Sequence, residues 1–422
     1  MTAKLSRSLG LVECSLMGIG VILGAGIYAL IGKAAALGGN AVWMSFIMAA
    51  FVAALTGLSY AELSSFIPKA GGEYYYAKYA FGSFVAYLVS WLLIVGLGIG
   101  SAAVALGFAG YFSALFGTEI ILSAVILIVL VSLILSYGIK QSAWFAIGCT
   151  LLEIVGLLII LWIGLPHLGS VNYLEMPSGF SGIMAAAALI FFAYIGFEEI
   201  VQLAEETKNP TKNIPLALLI SISVTTILYI LVSLAIVSVV GWESLGTSSS
   251  PLADVAAIGF GPSAFTVLAV IALFSTANTV LIMLLSASRL SYGMSEDGSF
   301  PKVFSKVHSK LKTPYVSTFS VSALAIVIIL LLRNIEAVAN LTNFSIFITF
   351  IIINSSVIIL RYKSPDLKRI FRIPFNVANI PLPAVLGILT SFLMLFNLGS
   401  TILLYGFFVL IIGLLFYLLI KN

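Results

Sequence analysis

Val12 to Ala36 reads VECSLMGIGVILGAGIYALIGKAAA, an apolar stretch long enough to cross a bilayer, with Gly24-Ala25-Gly26-Ile27 at its centre. Each glycine costs a helix about 1 kcal/mol relative to alanine. Backbone opened within hydrocarbon leaves N–H and C=O groups unsatisfied at several kcal/mol apiece, so a break there needs something polar docked against it. A second break, Ala193-Tyr194-Ile195-Gly196-Phe197, interrupts the sixth apolar stretch. Two discontinuous helices at corresponding places in successive five-helix sets are the pattern expected of a transport site at mid-membrane depth.

Working outward, the chain is 61% hydrophobic and 9% charged with mean hydropathy +1.18, too few charges to cover a water-soluble domain of 422 residues. The class is a polytopic all-α membrane protein. Runs long enough for about 30 Å of hydrocarbon fall at Val12–Ala36, Ala41–Phe66, Gly82–Phe112, Ile120–Gly138, Ser142–Leu165, Gly182–Ala204, Pro215–Gly241, Ser263–Gly293, Tyr315–Leu332, Leu341–Leu360, Pro381–Ser400 and Ile402–Ile420. They form one transmembrane domain of about twelve helices. Residues 12–165 and 182–360 read as two five-helix repeats, and 381–420 as two trailing helices.

With both termini on one side, 18 of the 20 basic residues share that side, and only Lys33 and Arg333 fall opposite. The positive-inside rule makes it the cytoplasmic side of the plasma membrane, and one miscounted span would reverse every later loop. The net charge of +4 therefore reflects topology and not nucleic-acid binding. The basic loop from Lys363 to Arg372 is placed to touch anionic lipid, although a plain topogenic signal would look the same. The first run is too long for a cleavable signal and lacks a convincing cleavage site, so it reads as a retained helix.

The breaks carry the chemistry. Without side chains at Gly24 and Gly26, ligand atoms can approach the main chain, and the helix resuming near Ile27 aims N–H groups at them, which suits a carboxylate. The first half of the sixth helix ends near Phe192 to Ile195 with carbonyls suited to an ammonium group. Facing breaks of opposite polarity would grip the invariant part of an α-amino acid. The alternative is that these glycines are helix-packing notches or hinges.

These residues resemble the amino acid-polyamine-organocation transporters. The resemblance rests on Gly18 to Gly32, Tyr60-Ala61-Glu62-Leu63 and Pro68-Lys69-Ala70-Gly71-Gly72-Glu73-Tyr74. Phe191 to Glu198, Glu205-Glu206-Thr207-Lys208-Asn209-Pro210 with Ile214-Pro215, and Ser288-Arg289 through Glu296-Asp297-Gly298 extend it over roughly the first ten helices. It implies the leucine-transporter fold, a 5+5 inverted repeat plus two C-terminal helices, working by alternating access. It also implies carboxylate contacts from the main chain of Gly24, Ala25, Gly26 and Ile27, and amine contacts from the carbonyls of Ile22, Phe192 and Ile195. Ala193, Gly196 and Phe197 complete the site, and Phe192 falls where relatives place an aromatic lid. For Phe192 and Phe197, aromatic packing is the rival explanation.

Glu153, Glu198 and Glu199 lie inside expected spans, where a charged carboxylate costs about 2.5 to 3.5 kcal/mol, so each should be neutral, paired or facing water. Glu198 resembles an acidic position that some relatives use in proton coupling; hydrogen bonding to freed backbone amides is its other reading. Glu199 reads as a packing or loop-facing neighbour. Ser142 stands eleven residues before Glu153, in a fifth helix where proton-coupled relatives commonly carry a lysine in place of bound sodium. A glutamate cannot mimic sodium, but it could carry the transported proton or help bind a cation. Ser275, Thr276 and Thr279 offer hydroxyls toward the same region, unless they satisfy their own helix backbone.

The expected function is a secondary transporter of neutral or hydrophobic amino acids, coupled to protons or else to sodium, with no cofactor or metal. Exchange of amino acids or polyamines is the nearest alternative, and a non-transporting amino-acid sensor another. A membrane enzyme would need clustered catalytic groups, and the spans contain no histidine. His167 and His308 fall in loops on opposite sides, and Cys14 and Cys149 lack metal-ligand spacing. A channel would present a filter of polar groups. Gly96, Gly98, Gly100, Ser101, Ala102 and Ala103 in the third span either leave room for a ligand or permit close helix contact.

Overall fold

The computed structural model describes residues 7, 9–69, 71–137, 143–311 and 313–421. The helices run in the order α1 (Leu11–Gly38), α2 (Val42–Phe66), α3 (Gly72–Phe81), α4 (Ser83–Phe116), α5 (Ile120–Tyr137), α6 (Ala143–Gly164), α7 (Gly179–Ile190), α8 (Pro210–Val239), α9 (Trp242–Thr247), α10 (Pro251–Phe260), α11 (Pro262–Glu296), α12 (Tyr315–Leu332), α13 (Ile335–Lys363), α14 (Leu382–Phe396) and α15 (Ser400–Lys421). A two-stranded antiparallel hairpin, β1 (Asn376–Val377) with β2 (Ile380–Pro381), precedes α14. The twelve expected spans correspond to these helices less α3, α9 and α10. Ser142, Lys140 and Ala70 lie outside the described residues.

Among the described residues, ten helical segments are long and apolar enough to cross a membrane. That is fewer than twelve for two physical reasons. The break in α1 leaves Leu11–Gly24 short and joins Gly26 onward to α2 through a tight turn. Helix α14 has 15 residues, about 22 Å at 1.5 Å per residue, less than the hydrocarbon thickness by itself. The stretch between Gly241 and Pro262 is folded into the short helices α9 and α10.

Helix α4 is the axis of the bundle, with 94% of its most apolar window buried against 17% for α15 at the periphery. Its small residues are packing surfaces: a Cβ on Gly96 would meet Ser345 at 3.2 Å, on Gly98 Leu324 at 3.1 Å, and on Gly100 Thr342 at 3.3 Å. Ser101 donates to its own helix at Gly98. An aromatic cluster joins Tyr60 to Phe197 at 5.7 Å and to Phe350 at 6.1 Å, with the ring of Phe191 tilted against Phe347 at 4.7 Å.

The basic face is closed by ion pairing. Glu62 near the end of α2 receives two hydrogen bonds from Arg361 of α13 at 2.8 and 2.5 Å, and the Ile373 amide donates to it at 2.8 Å. Arg369 pairs with the same carboxylate at 3.3 Å. Arg361 also donates to Asn376, so the hairpin is tied to α2 through one guanidinium. On the opposite face Lys33 donates to the Gly246 carbonyl at 2.6 Å, and Asn40 to Glu175 at 2.6 Å. Lys33, an exception to the charge bias, thus fastens α1 to α9.

Candidate functional site

Helix α1 departs from helical geometry at Gly24 alone, φ −8° and ψ −146°, at its midpoint. The break is narrower than the four-residue run expected. The sixth span opens more widely. After α7 the chain makes one 3-10 turn, Phe191–Tyr194, extends at Ile195, and turns at Gly196 with φ +119°, a conformation suited to glycine. It continues as nine residues of 3-10 helix, Phe197–Glu205, where an α-helical half was expected. So long a 3-10 run is unusual.

The two breaks touch. A Cβ on Gly26 would overlap the Cα of Ala193, and one on Gly196 would strike Val21. The Thr279 hydroxyl of α11 sits over Gly24, 2.7 Å from where its Cβ would be. Tyr229 of α8 donates from one hydroxyl toward two carbonyls, Ile22 at 2.6 Å and Ala193 at 3.0 Å. A hydroxyl carries one proton, so the two acceptors share it. Asn343 of α13 donates to the carbonyls of Ala188 and Leu189 at 2.7 and 3.1 Å, capping the end of α7. The Phe192 carbonyl accepts from Ile195 at 3.3 Å.

At the breaks lies a narrow cavity of about 20 Å³, room for little more than a water molecule. Val21, Leu97, Ile195, Ile282 and Met283 form its apolar wall, and Glu198, Glu199, Thr279 and Gly196 its polar part. The Gly196 amide donates to Glu198 at 3.0 Å, so that carboxylate caps the freed backbone. Ser286 donates to Glu199 at 3.3 Å. Phe192 is 4% exposed, and Phe197 is fully buried in the aromatic cluster and does not line the cavity.

Glu153 of α6 stands apart from the cavity. It is 2% exposed, and among the described residues neither carboxylate oxygen has a hydrogen-bond partner. The Ser275 hydroxyl of α11 lies beside it. Tyr28 donates to the main-chain carbonyl of Glu153 at 2.9 Å, and Tyr111 to that of Tyr28 at 2.8 Å, linking α4, α1 and α6. Thr276 and Thr279 donate to their own helix, at Ala272 and Ser275. Cys14 contacts Thr207 at 3.2 Å. Among the described residues, no group of three or more His, Cys, Asp or Glu is placed to hold a metal ion.

The sequence pattern of the family described as amino acid permease matches residues 9–419. The chain belongs to that family. It lies within the amino acid-polyamine-organocation superfamily, with the leucine-transporter type of fold. The permease is 32% identical to the branched-chain amino acid permease BcaP of Bacillus subtilis (strain 168), over 99% of this chain and 94% of that protein. It is 33% identical to the methylthioribose transporter of the same organism, over 88% and 85% of the two chains. Similarity extends to cationic amino acid transporter 4 of Mus musculus, 32% identical over 86% of this chain and 61% of that protein.

Of the residues singled out in the sequence, Ile195, Gly196, Glu198, Glu199 and Thr279 line the cavity of this permease, Glu199 contrary to its reading as a packing or loop-facing neighbour, while Ile22, Gly24, Gly26 and Ala193 form the contact of the two breaks. Ile27 is fully buried just beyond. Of Ala25 only the helical backbone is described. Sequence reading missed Tyr229 and Asn343, which hold the breaks from neighbouring helices. Each is one polar side chain among several in its span, and no spacing along the chain connects it to its acceptors.

Proposed function

We propose that the permease is a secondary active transporter that takes up neutral or hydrophobic amino acids by alternating access, coupled to protons. The observation that carries this reading is the contact of the Gly24 and Ile195–Gly196 breaks, with Gly26 against Ala193. Amides of α1 from Gly26 and Ile27 onward would take the carboxylate, and the carbonyls of Phe192 and Ile195 the ammonium group, beside the Ile22 carbonyl already held by Tyr229. The apolar wall of Val21, Leu97, Ile195, Ile282 and Met283 supports a neutral side chain.

Coupling is assigned to Glu153 with Ser275, and to Glu198. A buried carboxyl group without a partner is satisfied by a proton, or by a cation held between it and the Ser275 oxygen; sodium is therefore the alternative ion. In this reading residues 12–165 and 182–360 are the inverted repeats, 381–420 trail them, and lipid surrounds the bundle. Both termini face the cytoplasm at the plasma membrane, as the distribution of Lys and Arg supports.

One observation favours a second reading of the cargo. Glu198 and Glu199 both line the cavity, and two carboxylates suit a cationic side chain. Exchange and sensing without transport use the same site.

Purified permease in proteoliposomes, assayed for leucine and arginine uptake with and without an inward proton gradient, sodium and internal amino acid, separates these readings. Gradient-driven leucine accumulation with no internal amino acid is expected. Uptake only against internal amino acid would make it an exchanger, binding without uptake a sensor, and arginine preference would overturn the neutral cargo.

A further inference from the structure

On the basic face, away from the transport cavity, the ends of α2 and α13 enclose a cleft of about 560 Å³, open to solvent. Among the described residues, its charged lining consists of Lys69 and Lys363. Its walls are Phe66, Leu360, Leu367 and Tyr79. Both ammonium groups are held in place. Lys69 Nζ lies 4.6 Å from the centre of the Tyr75 ring, and Lys363 Nζ donates to the Ala80 carbonyl at 2.8 Å. An ammonium has three donors, so Lys363 keeps two for a ligand, and little side-chain freedom remains to be lost on binding.

The wall is rigid for a separate reason. Arg369 donates to the carbonyls of Leu367, Leu360 and Ser364 at 3.0 to 3.1 Å and stacks 5.0 Å above the Phe66 ring. Of the cleft's own walls Tyr79 is 47% and Leu367 49% exposed, and of the residues outside it Tyr362 is 55% and Ile370 57% exposed. Such residues lie where two spans end. Fixed cations beside exposed aromatic and aliphatic side chains at that depth match a lipid headgroup above its acyl chains. A free anion would have no use for the apolar flank.

We propose that this cleft is a binding site for an anionic phospholipid, with Lys69 and Lys363 on the headgroup phosphate and the acyl chains along Tyr79 and Leu367. The site is independent of the cargo and of the coupling ion.

The test is native mass spectrometry of the full chain in detergent with phosphatidylglycerol or phosphatidylcholine added. Wild type should retain phosphatidylglycerol in preference to phosphatidylcholine. Lys69→Gln with Lys363→Gln should lower that preference about tenfold or more, given the strength of basic residues at an anionic surface. Lys302→Gln with Lys306→Gln, on another loop of the same face, should leave it unchanged. Equal retention of both lipids by wild type, a preference surviving in the first double variant, or an equal loss in the second would overturn the proposal. Displacement of the lipid by millimolar inorganic phosphate would show a free-anion site instead. Matching melting curves for wild type and both variants keep misfolding out of the comparison.

Discussion

The Tyr229 hydroxyl of α8 lies 2.6 Å from the Ile22 carbonyl of α1, two residues before the Gly24 break. The same hydroxyl reaches the Ala193 carbonyl at 3.0 Å, so one proton holds both interrupted helices in register. Tyr229→Phe keeps the ring packed at 5.5 Å from Phe46 and 5.4 Å from Tyr194 while removing the donor. A hydrogen bond of this kind contributes about 0.5 to 1.5 kcal/mol. The variant should fold, and kcat/KM for uptake should fall about 2- to 12-fold; unchanged uptake kinetics would show that the bridge does not position the site.

Gly26 is where the two breaks are closest. Gly26→Ala places a methyl group on the Ala193 backbone, and overpacking of a tight contact costs about 1 to 3 kcal/mol. Lower thermal stability and severely reduced uptake are expected together. Gly293→Ala on α11 adds its methyl group in open space, and should be neutral or slightly stabilising, by up to about 1 kcal/mol. Equal melting temperatures for the two variants would contradict the packing assigned to Gly26.

Glu62 receives Arg361, Arg369 and the Ile373 amide. Glu62→Ala leaves buried Arg361 without its counter-charge, and removing one partner of a buried pair costs about 3 to 5 kcal/mol. A large fall in melting temperature, with easier proteolysis between Ser364 and Pro381, is the expected result. Lys302→Gln on the same face should stay within about 0.5 kcal/mol of wild type. A Glu62→Ala protein as stable as wild type would rule out this clamp.

Glu153→Gln tests the coupling assignment directly. The amide keeps the size of the side chain but neither releases a proton nor attracts a cation. Gradient-driven accumulation in vesicles should be lost while counterflow, which needs no net coupling, persists. If accumulation survives in full, Glu153 is not the carrier.

The amino-acid sequence by itself determined the membrane class, the order of the spans and the place of both breaks. Hydrophobic runs must match bilayer thickness, and glycines within such a run mark where backbone is opened. It also singled out Glu153 and Glu198, because a carboxylate in an apolar span is conspicuous. Only the tertiary structure decided that the first break is a single residue, that the sixth helix resumes as a 3-10 segment, and that Phe197 belongs to an aromatic cluster with Tyr60 and Phe350. It alone brought Tyr229 to Ile22, Ser275 opposite Glu153, and Arg361 onto Glu62. Those pairs are separated by 207, 122 and 299 positions, and local pattern carries no information about which helix faces which. That choice is made by side-chain packing between helices, where small residues such as Gly26 and Gly98 let particular backbones approach and fix which polar groups meet.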